Sequence, residues 1–368
     1  MTFAHITGWG MSVPESILTN DDLSKMVDTS DEWIRGRTGI RERRIARDEN
    51  QTTASLAVEA SIKALQVANL RPTDVDLIIC STSTPEHIFP ATACLVQDRI
   101  GATKAGAFDL LAACTGFIYA INMAAQSIRS RSIQNALVIG SETLSRFVNW
   151  QDRNTCILFG DGAGAFVLQA SEMPGGVLSA VMHSDGSGGD SLILQGGGSK
   201  HPATEATIQA GKHFIEMDGK EVFRFATRVM AQATHETLEL ASIGMDELNW
   251  VIPHQANIRI IEAAARGLKL PLERFVVNLE RYGNTSTASI PIATVEAAED
   301  GRLQPGDKVV FVGFGAGLTW GALAAEWTGP LPSEKKVYPR RYRLWARIRS
   351  FLRRVVRFIE GLIWGRGS

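Results

Sequence analysis

The 368-residue sequence predicts a layered α/β/α/β/α sandwich made from two copies of one α/β unit. Short, continuous apolar runs alternate with helix-patterned segments along most of the chain, and the chain overlies itself at a shift of 173 residues. At that shift residues 60–80 (ASIKALQVANLRPTDVDLIIC) lie over 233–253 (ATHETLELASIGMDELNWVIP). Each reads as an amphipathic helix, an acidic turn and an apolar strand. The same shift sets 136–140 (ALVIG) over 309–313 (VVFVG), and Cys114 over Thr287 where each opens a run of small and apolar residues. The boundaries that follow are 1–173 and 174–330 for the two halves, with an extension over 331–368.

In chain order, strands are expected at 75–80, 105–110, 136–140, 249–252, 275–278 and 308–313. Their unbroken apolar character suits strands buried on both faces. Helices are expected at 52–68, 91–100, 115–130, 220–241, 256–267 and 288–299, and the Gly-rich stretches 186–189 and 196–198 read as loop. An apolar fraction of 45% supplies a full core, which excludes a disordered or collagen-like chain. Four cysteines form no CxxC pair, indicating a reducing compartment. The start, MTFAHITGWG, has neither the basic nor the apolar region of a secretion signal, and no apolar run reaches the ~20 residues a bilayer span needs. The expected location is the cytoplasm. A formal charge of −1 conceals an asymmetry: from Glu334 onward 11 Lys/Arg face 2 Asp/Glu, a net of +9, leaving −10 on the rest.

Cys114 stands in 108–117 (FDLLAACTGF), an apolar strand followed by small residues and a helix. A thiol at a helix N-terminus feels the positive end of the dipole, so its pKa is expected to fall toward the nucleophilic range. A buried structural Cys is the competing reading, and Cys80, Cys94 and Cys156, among apolar neighbours, read that way. His254 closes a strand in 251–260 (VIPHQANIRI), the edge at which α/β sheets bind ligands; a core or capping His is the alternative. Asn284, in 282–291 (YGNTSTASIP), has ordinary turn and cap chemistry as its alternative. The duplication nevertheless sets it opposite Cys114 across a pseudo-twofold axis. Segment 313–321 (GFGAGLTWG) reads as a strand and a Gly-spaced loop able to aim N–H groups inward, whereas 160–164 (GDGAG) serves equally for close packing. Neither opens a helix as GxGxxG, and no Walker loop, GxSxG or metal-ligand spacing occurs.

These segments, with 29–43 (TSDEWIRGRTGIRER), 159–165 (FGDGAGA), 253–260 (PHQANIRI), 283–289 (GNTSTAS) and 314–321 (FGAGLTWG), give the chain a resemblance over about residues 1–328 to a known family. It resembles β-ketoacyl-acyl-carrier-protein synthase III, the initiating condensing enzyme of fatty-acid synthesis, with a thiolase-like fold. The resemblance implies decarboxylative Claisen condensation of a short acyl-CoA primer with malonyl-acyl carrier protein, without a cofactor. It further implies a catalytic triad of Cys114, His254 and Asn284, and an oxyanion hole from the N–H groups of Cys114 and Ala316. Ala316 stands where many members have Gly, so the hole requires that this residue not adopt positive φ. Coenzyme A contacts map to Trp33, Arg37 and Arg153, with an adenine sandwiched between Trp33 and Arg153. Carrier-protein contacts map to Gln255, Ala256, Asn257, Ile258 and Arg259. Phe89 corresponds to a residue that lines the partner subunit's acyl pocket, implying a homodimer. A specialised lipid or polyketide enzyme with another acyl donor or acceptor is the alternative, and an inactive scaffold conflicts with the intact triad.

The resemblance ends near Trp327. Beyond it, Leu344, Trp345, Ile348, Phe351, Leu352, Val355, Val356, Ile359, Leu362 and Ile363 recur at helical spacing among arginines. Three readings stand: peripheral membrane contact through residues 343–364, docking on the protein's own body, or attraction of an acidic carrier protein. A nucleic-acid role is not expected, because the basic face backs onto a strongly apolar one.

Overall fold

The protein, described here from a computed structural model over residues 1–331 and 336–363, is built on two sheets that share one strand order. The strands are β1 (Phe3–Ser12), β2 (Ile17–Thr19), β3 (Glu42–Arg44), β4 (Leu77–Ser81), β5 (Gly106–Leu110), β6 (Asn135–Thr143), β7 (Asp161–Ser171), β8 (Gly176–Ser184), β9 (Leu192–Leu194), β10 (Ile215–Met217), β11 (Trp250–Pro253), β12 (Lys308–Gly315) and β13 (Thr319–Glu326). The helices are α1 (Asn20–Ser24), α2 (Asp31–Thr38), α3 (Thr53–Val67), α4 (Thr92–Ile100), α5 (Gly116–Arg129), α6 (Arg153–Cys156), α7 (Glu205–Gln209), α8 (Gly219–Ala241), α9 (Ile258–Leu268), α10 (Leu279–Tyr282), α11 (Ser289–Glu299) and α12 (Pro339–Ile363).

The first sheet runs β1-β7-β6-β4-β5 and the second β8-β13-β12-β11. Parallel pairing of β4 with β6 is matched by β11 with β12, and the antiparallel neighbours correspond in turn. Helices α3 and α4 cover the outer face of the first sheet, α8 and α9 that of the second, and α5 and α11 lie between the sheets. This is the five-layered sandwich of a thiolase-like fold from two duplicated halves.

Local chemistry explains the helix starts. Thr52 caps α3 in a reciprocal capping box with Ser55, Asp218 accepts from two N–H groups of α8, and Asn257 caps α9. Strand β4 lies between two parallel neighbours, so its Leu-Ile-Ile-Cys run packs on both faces.

One expected strand is absent. Segment 275–278 forms only a single bridge, Phe275 with Val251, because the chain turns immediately into α10. Of the readings open for segment 160–164, close packing is the one found: β7 starts at Asp161, and Gly164 admits Pro291 of α11. Strands β1, β2, β3, β7, β8, β9, β10 and β13 were not expected; in β1, β8 and β13 Gly, Ser and Thr obscure the apolar pattern. Within the tail segment 343–364, residue 364 lies outside the described residues. No helix of the described residues is long and apolar enough to cross a membrane.

The halves meet backbone to backbone. A Cβ at Gly140 in β6 would stand 2.5 Å from the Thr287 carbonyl oxygen, and one at Gly315 in β12 would stand 2.7 Å from the Cys114 amide nitrogen. We expect Gly140→Ala to lower stability by about 1–3 kcal/mol, since a methyl group there must force two backbones apart; chemical denaturation checks this.

Candidate active site

Cys114 sits in a tight turn, Ala113–Thr115, between β5 and α5. Ala113 adopts φ +45°, and at the equivalent position of the second half Ser286 adopts φ +48°. Non-glycine residues reach this left-handed region only when their surroundings hold them there. Here Thr115 hydrogen-bonds the Thr319 hydroxyl across the two halves at 3.0 Å. Gly315 lies against the Cys114 amide, and Gly313 lies between His254 and the Cys114 carbonyl.

His254 follows β11 and extends its ladder, donating its N–H to Val312 O at 2.8 Å. The ring is buried, packs edge-on against Phe314 and places Nδ1 2.7 Å from Ser289 Oγ. Ser289 Oγ also accepts from the Gln255 N–H at 3.3 Å. Among the described residues the hydroxyl has no other acceptor, so it donates to Nδ1 and leaves the proton on Nε2. Burial pushes the imidazole pKa down to about 3, so the ring is a neutral Nε2–H donor.

Asn284 is fixed by its backbone, which donates to Leu158 O at 2.8 Å and accepts from Gly160 N at 3.0 Å. Its Oδ1 accepts from Ser286 N at 2.8 Å, which identifies the amide orientation and leaves Nδ2 to donate.

Cys114, Ser286 and Ala316 line one small cavity of about 100 Å³, otherwise walled mainly by apolar side chains including Leu144, Phe147, Phe159 and Leu192. Ala316 stays out of the positive-φ region; that conformation falls on Gly317 (φ +143°). The methyl group at position 316 therefore meets no left-handed backbone strain.

The expected lowering of the Cys114 pKa does not hold. Burial pushes the thiol up to about 12; a hydrogen bond with Ser286 pulls it down, and the Glu142 charge adds to the rise. Glu142 was not anticipated from sequence, although an ionisable residue ending the apolar run of β6 is an available signal. It is fully buried and accepts from Thr84 Oγ1 at 2.6 Å, from Ser83 N at 3.0 Å and from the Ser286 side chain. Burial raises its pKa to about 7.

The outer contacts are partly assembled. Arg37 and Arg153 lie 4.6 and 5.1 Å from the Trp33 ring centroid. At 5.1 Å the Trp33–Arg153 spacing is shorter than two stacking distances of about 3.5 Å each, so the two side chains lie against each other with no room for a flat ring between them. Gln255 departs from its expected role: it is buried, and its Nε2 donates to Pro253 O at 2.7 Å and Val276 O at 3.0 Å. It braces the loop and cannot reach a partner's surface. Ala256, Asn257 and Ile258 are half-buried, and Arg259 is exposed over the Phe223 ring. Phe89 is 84% exposed and does not line the cavity of its own chain. Cys94, read as structural, is exposed at the surface of α4.

Residues 108–186 match the profile of 3-oxoacyl-[acyl-carrier-protein] synthase III, and residues 238–327 match its C-terminal domain. The chain is 54% identical over 322 residues to β-ketoacyl-[acyl-carrier-protein] synthase III of Symbiobacterium thermophilum, covering 88% of this chain and 97% of that protein. It belongs to the β-ketoacyl-acyl-carrier-protein synthase III family. The Roseiflexus sp. (strain RS-1) relative of the same name is 49% identical over 89% of this chain and 99% of its own. The crystal structure of the synthase from Aquifex aeolicus VF5 superposes with a TM-score of 0.81 at 47% identity, covering 88% of this chain and 99% of that one. The chain is thus a condensing acyltransferase of fatty-acid synthesis, and the matched region stops before α12.

With Cys114 at about 12 and His254 at about 3, thiol and imidazole are both neutral in the free enzyme at pH 7. We expect alkylation of Cys114 by iodoacetamide to accelerate about tenfold per pH unit from pH 8 to 10 without a plateau, following the thiolate fraction. Intact-mass kinetics check this; a pH-independent rate would mean a preformed thiolate.

Proposed function

We propose that the chain condenses a short acyl-CoA with malonyl-acyl carrier protein, releasing coenzyme A and CO2 and yielding a 3-oxoacyl-carrier protein. The observation that carries this reading is a buried thiol in a small apolar cavity, with a His held as an Nε2–H donor and an Asn whose only uncommitted side-chain atom is a donor nitrogen. Cys114 Sγ attacks the thioester carbonyl, and the thiol proton leaves with coenzyme A. The N–H groups of Cys114 and Ala316 stabilise the tetrahedral oxyanion. Malonyl-carrier protein then loses CO2, and its enolate oxygen accepts hydrogen bonds from His254 Nε2 and Asn284 Nδ2. The enolate carbon attacks the acyl-Cys114 thioester, and expulsion of the thiolate followed by protonation restores Cys114. Neutral donors suit this step, because a positively charged imidazolium would hold the malonyl carboxylate and oppose its loss.

Trp33, Arg37 and Arg153 receive coenzyme A, and the 256–259 segment, led by Arg259, receives the acidic carrier. A homodimer is supported by the open edge of β5 and the exposed Ile88, Phe89, Phe108 and Leu111 beside it, with Phe89 completing the partner's acyl pocket. The halves divide as 1–173 and 174–330, with the extension over 331–368, and the reaction takes place in the cytoplasm.

Incubation with a panel of acyl-CoAs followed by intact-mass measurement tests the first half-reaction. Cys114→Ala should give no adduct. Removing one enolate donor, as in His254→Ala or Asn284→Ala, should leave the acyl adduct intact while slowing condensation about 10²–10³-fold. An adduct on Cys114→Ala, or unimpaired condensation by both donor variants, would refute the mechanism.

A further inference from the structure

The extension beyond the family's matched region forms α12, and that helix is attached with the wrong face inward. It meets the body through Arg343, paired with Glu59, through Arg349 and Ser350, which reach Asp98 at 3.7 and 2.8 Å, and through Ala346, buried over Gly101. Just before it, the Val337 N–H donates to Asn69 Oδ1. At about 100° per residue these contacts cluster on one side of the helix. Leu344, Trp345, Ile348, Phe351, Leu352 and Val355 fall on the opposite side, and all are exposed. A helix that packs on its own protein for stability buries its apolar side; this one turns that side to the solvent from Leu344 to Leu362.

Charge identifies what covers it. The helix carries eight arginines and one acidic residue, Glu360. Arg347, Arg353, Arg354 and Arg357 are exposed and continue along the flank and back where contact with the body ends. A second α12 laid on the stripe would bring two such charges together. An acidic carrier would satisfy the arginines but leave Trp345, Phe351 and Leu352 in water. A surface that is anionic outside and apolar beneath satisfies both faces, and a helix unable to span a bilayer can still lie in its headgroup plane.

We propose that α12 docks the enzyme onto an anionic lipid surface, its aliphatic and aromatic stripe entering the headgroup boundary while its polar face stays fastened to α3 and α4. This does not rest on the proposed reaction, because acylation of Cys114 is read separately.

The test is flotation of the full-length protein with vesicles of phosphatidylcholine alone and with about one-quarter phosphatidylglycerol. Binding should be at least about tenfold stronger to the anionic vesicles and should weaken markedly at about 1 M salt. Leu352→Glu with Val355→Glu alters only the outward stripe; it should lose binding at least about tenfold while Cys114 still acylates at the wild-type rate. Equal, weak flotation with both vesicles would overturn the proposal. So would an oligomer in lipid-free solution that this double variant dissolves, since the stripe would then belong to a second copy. Unchanged anionic binding by the double variant would likewise assign attachment to another surface.

Discussion

The site depends on how closely two polypeptide backbones approach each other. At the seam between the halves, Gly140 leaves room for the Thr287 carbonyl and Gly315 for the Cys114 amide. No side chain could occupy either gap without displacing main chain. This contact brings the turn bearing the thiol against the second sheet, whose β11 leads into His254, while Asn284 is held by the backbone of Leu158 and Gly160. The Thr115–Thr319 hydrogen bond then locks the approach sideways. Side chains of α5, α11 and both sheets fill the layer between the halves, and at these two glycines the main chains themselves meet.

Electrostatics around Cys114 favour neutrality, although His254, Asn284 and Glu142 do not themselves line its cavity. Burial lifts Cys114, lifts Glu142 and depresses His254, so each of the three is pushed away from its charged form. Neutral groups at this depth avoid the cost of holding an unpaired charge away from water. Ser289 has a modest but decisive share in this, because one hydroxyl chooses which imidazole nitrogen carries the proton.

Much of this was legible in the sequence. The six long helices expected from periodicity all appear, as do the central strands, because unbroken apolar runs and capped amphipathic segments are local signals. The 173-residue offset exposed the duplication. Strands β1, β8 and β13 escaped because Gly, Ser, Thr and His interrupt their apolar residues, so no continuous run marks them. Gln255 was misplaced for a related reason: a polar side chain in a loop looks solvent-facing, yet this one satisfies buried carbonyls. The Cys114 pKa was misjudged because helix direction is visible in sequence and depth of burial is not. The outward stripe of α12 was visible as a pattern, but only the three-dimensional contacts reveal which side of it meets the body.

The paired left-handed residues Ala113 and Ser286 have a consequence for descent. A strained backbone device at matching places in both units is inherited more readily than invented twice. The copies then specialised: one kept a sulfur at the turn, while the other carries hydroxyls there and supplies His254 and Asn284 from neighbouring loops. A single-unit ancestor would have enclosed this cavity only by pairing with itself, with identical turns facing one another. Fusion into one chain freed the two sides to differ, and an asymmetric reaction could then occupy a symmetric scaffold.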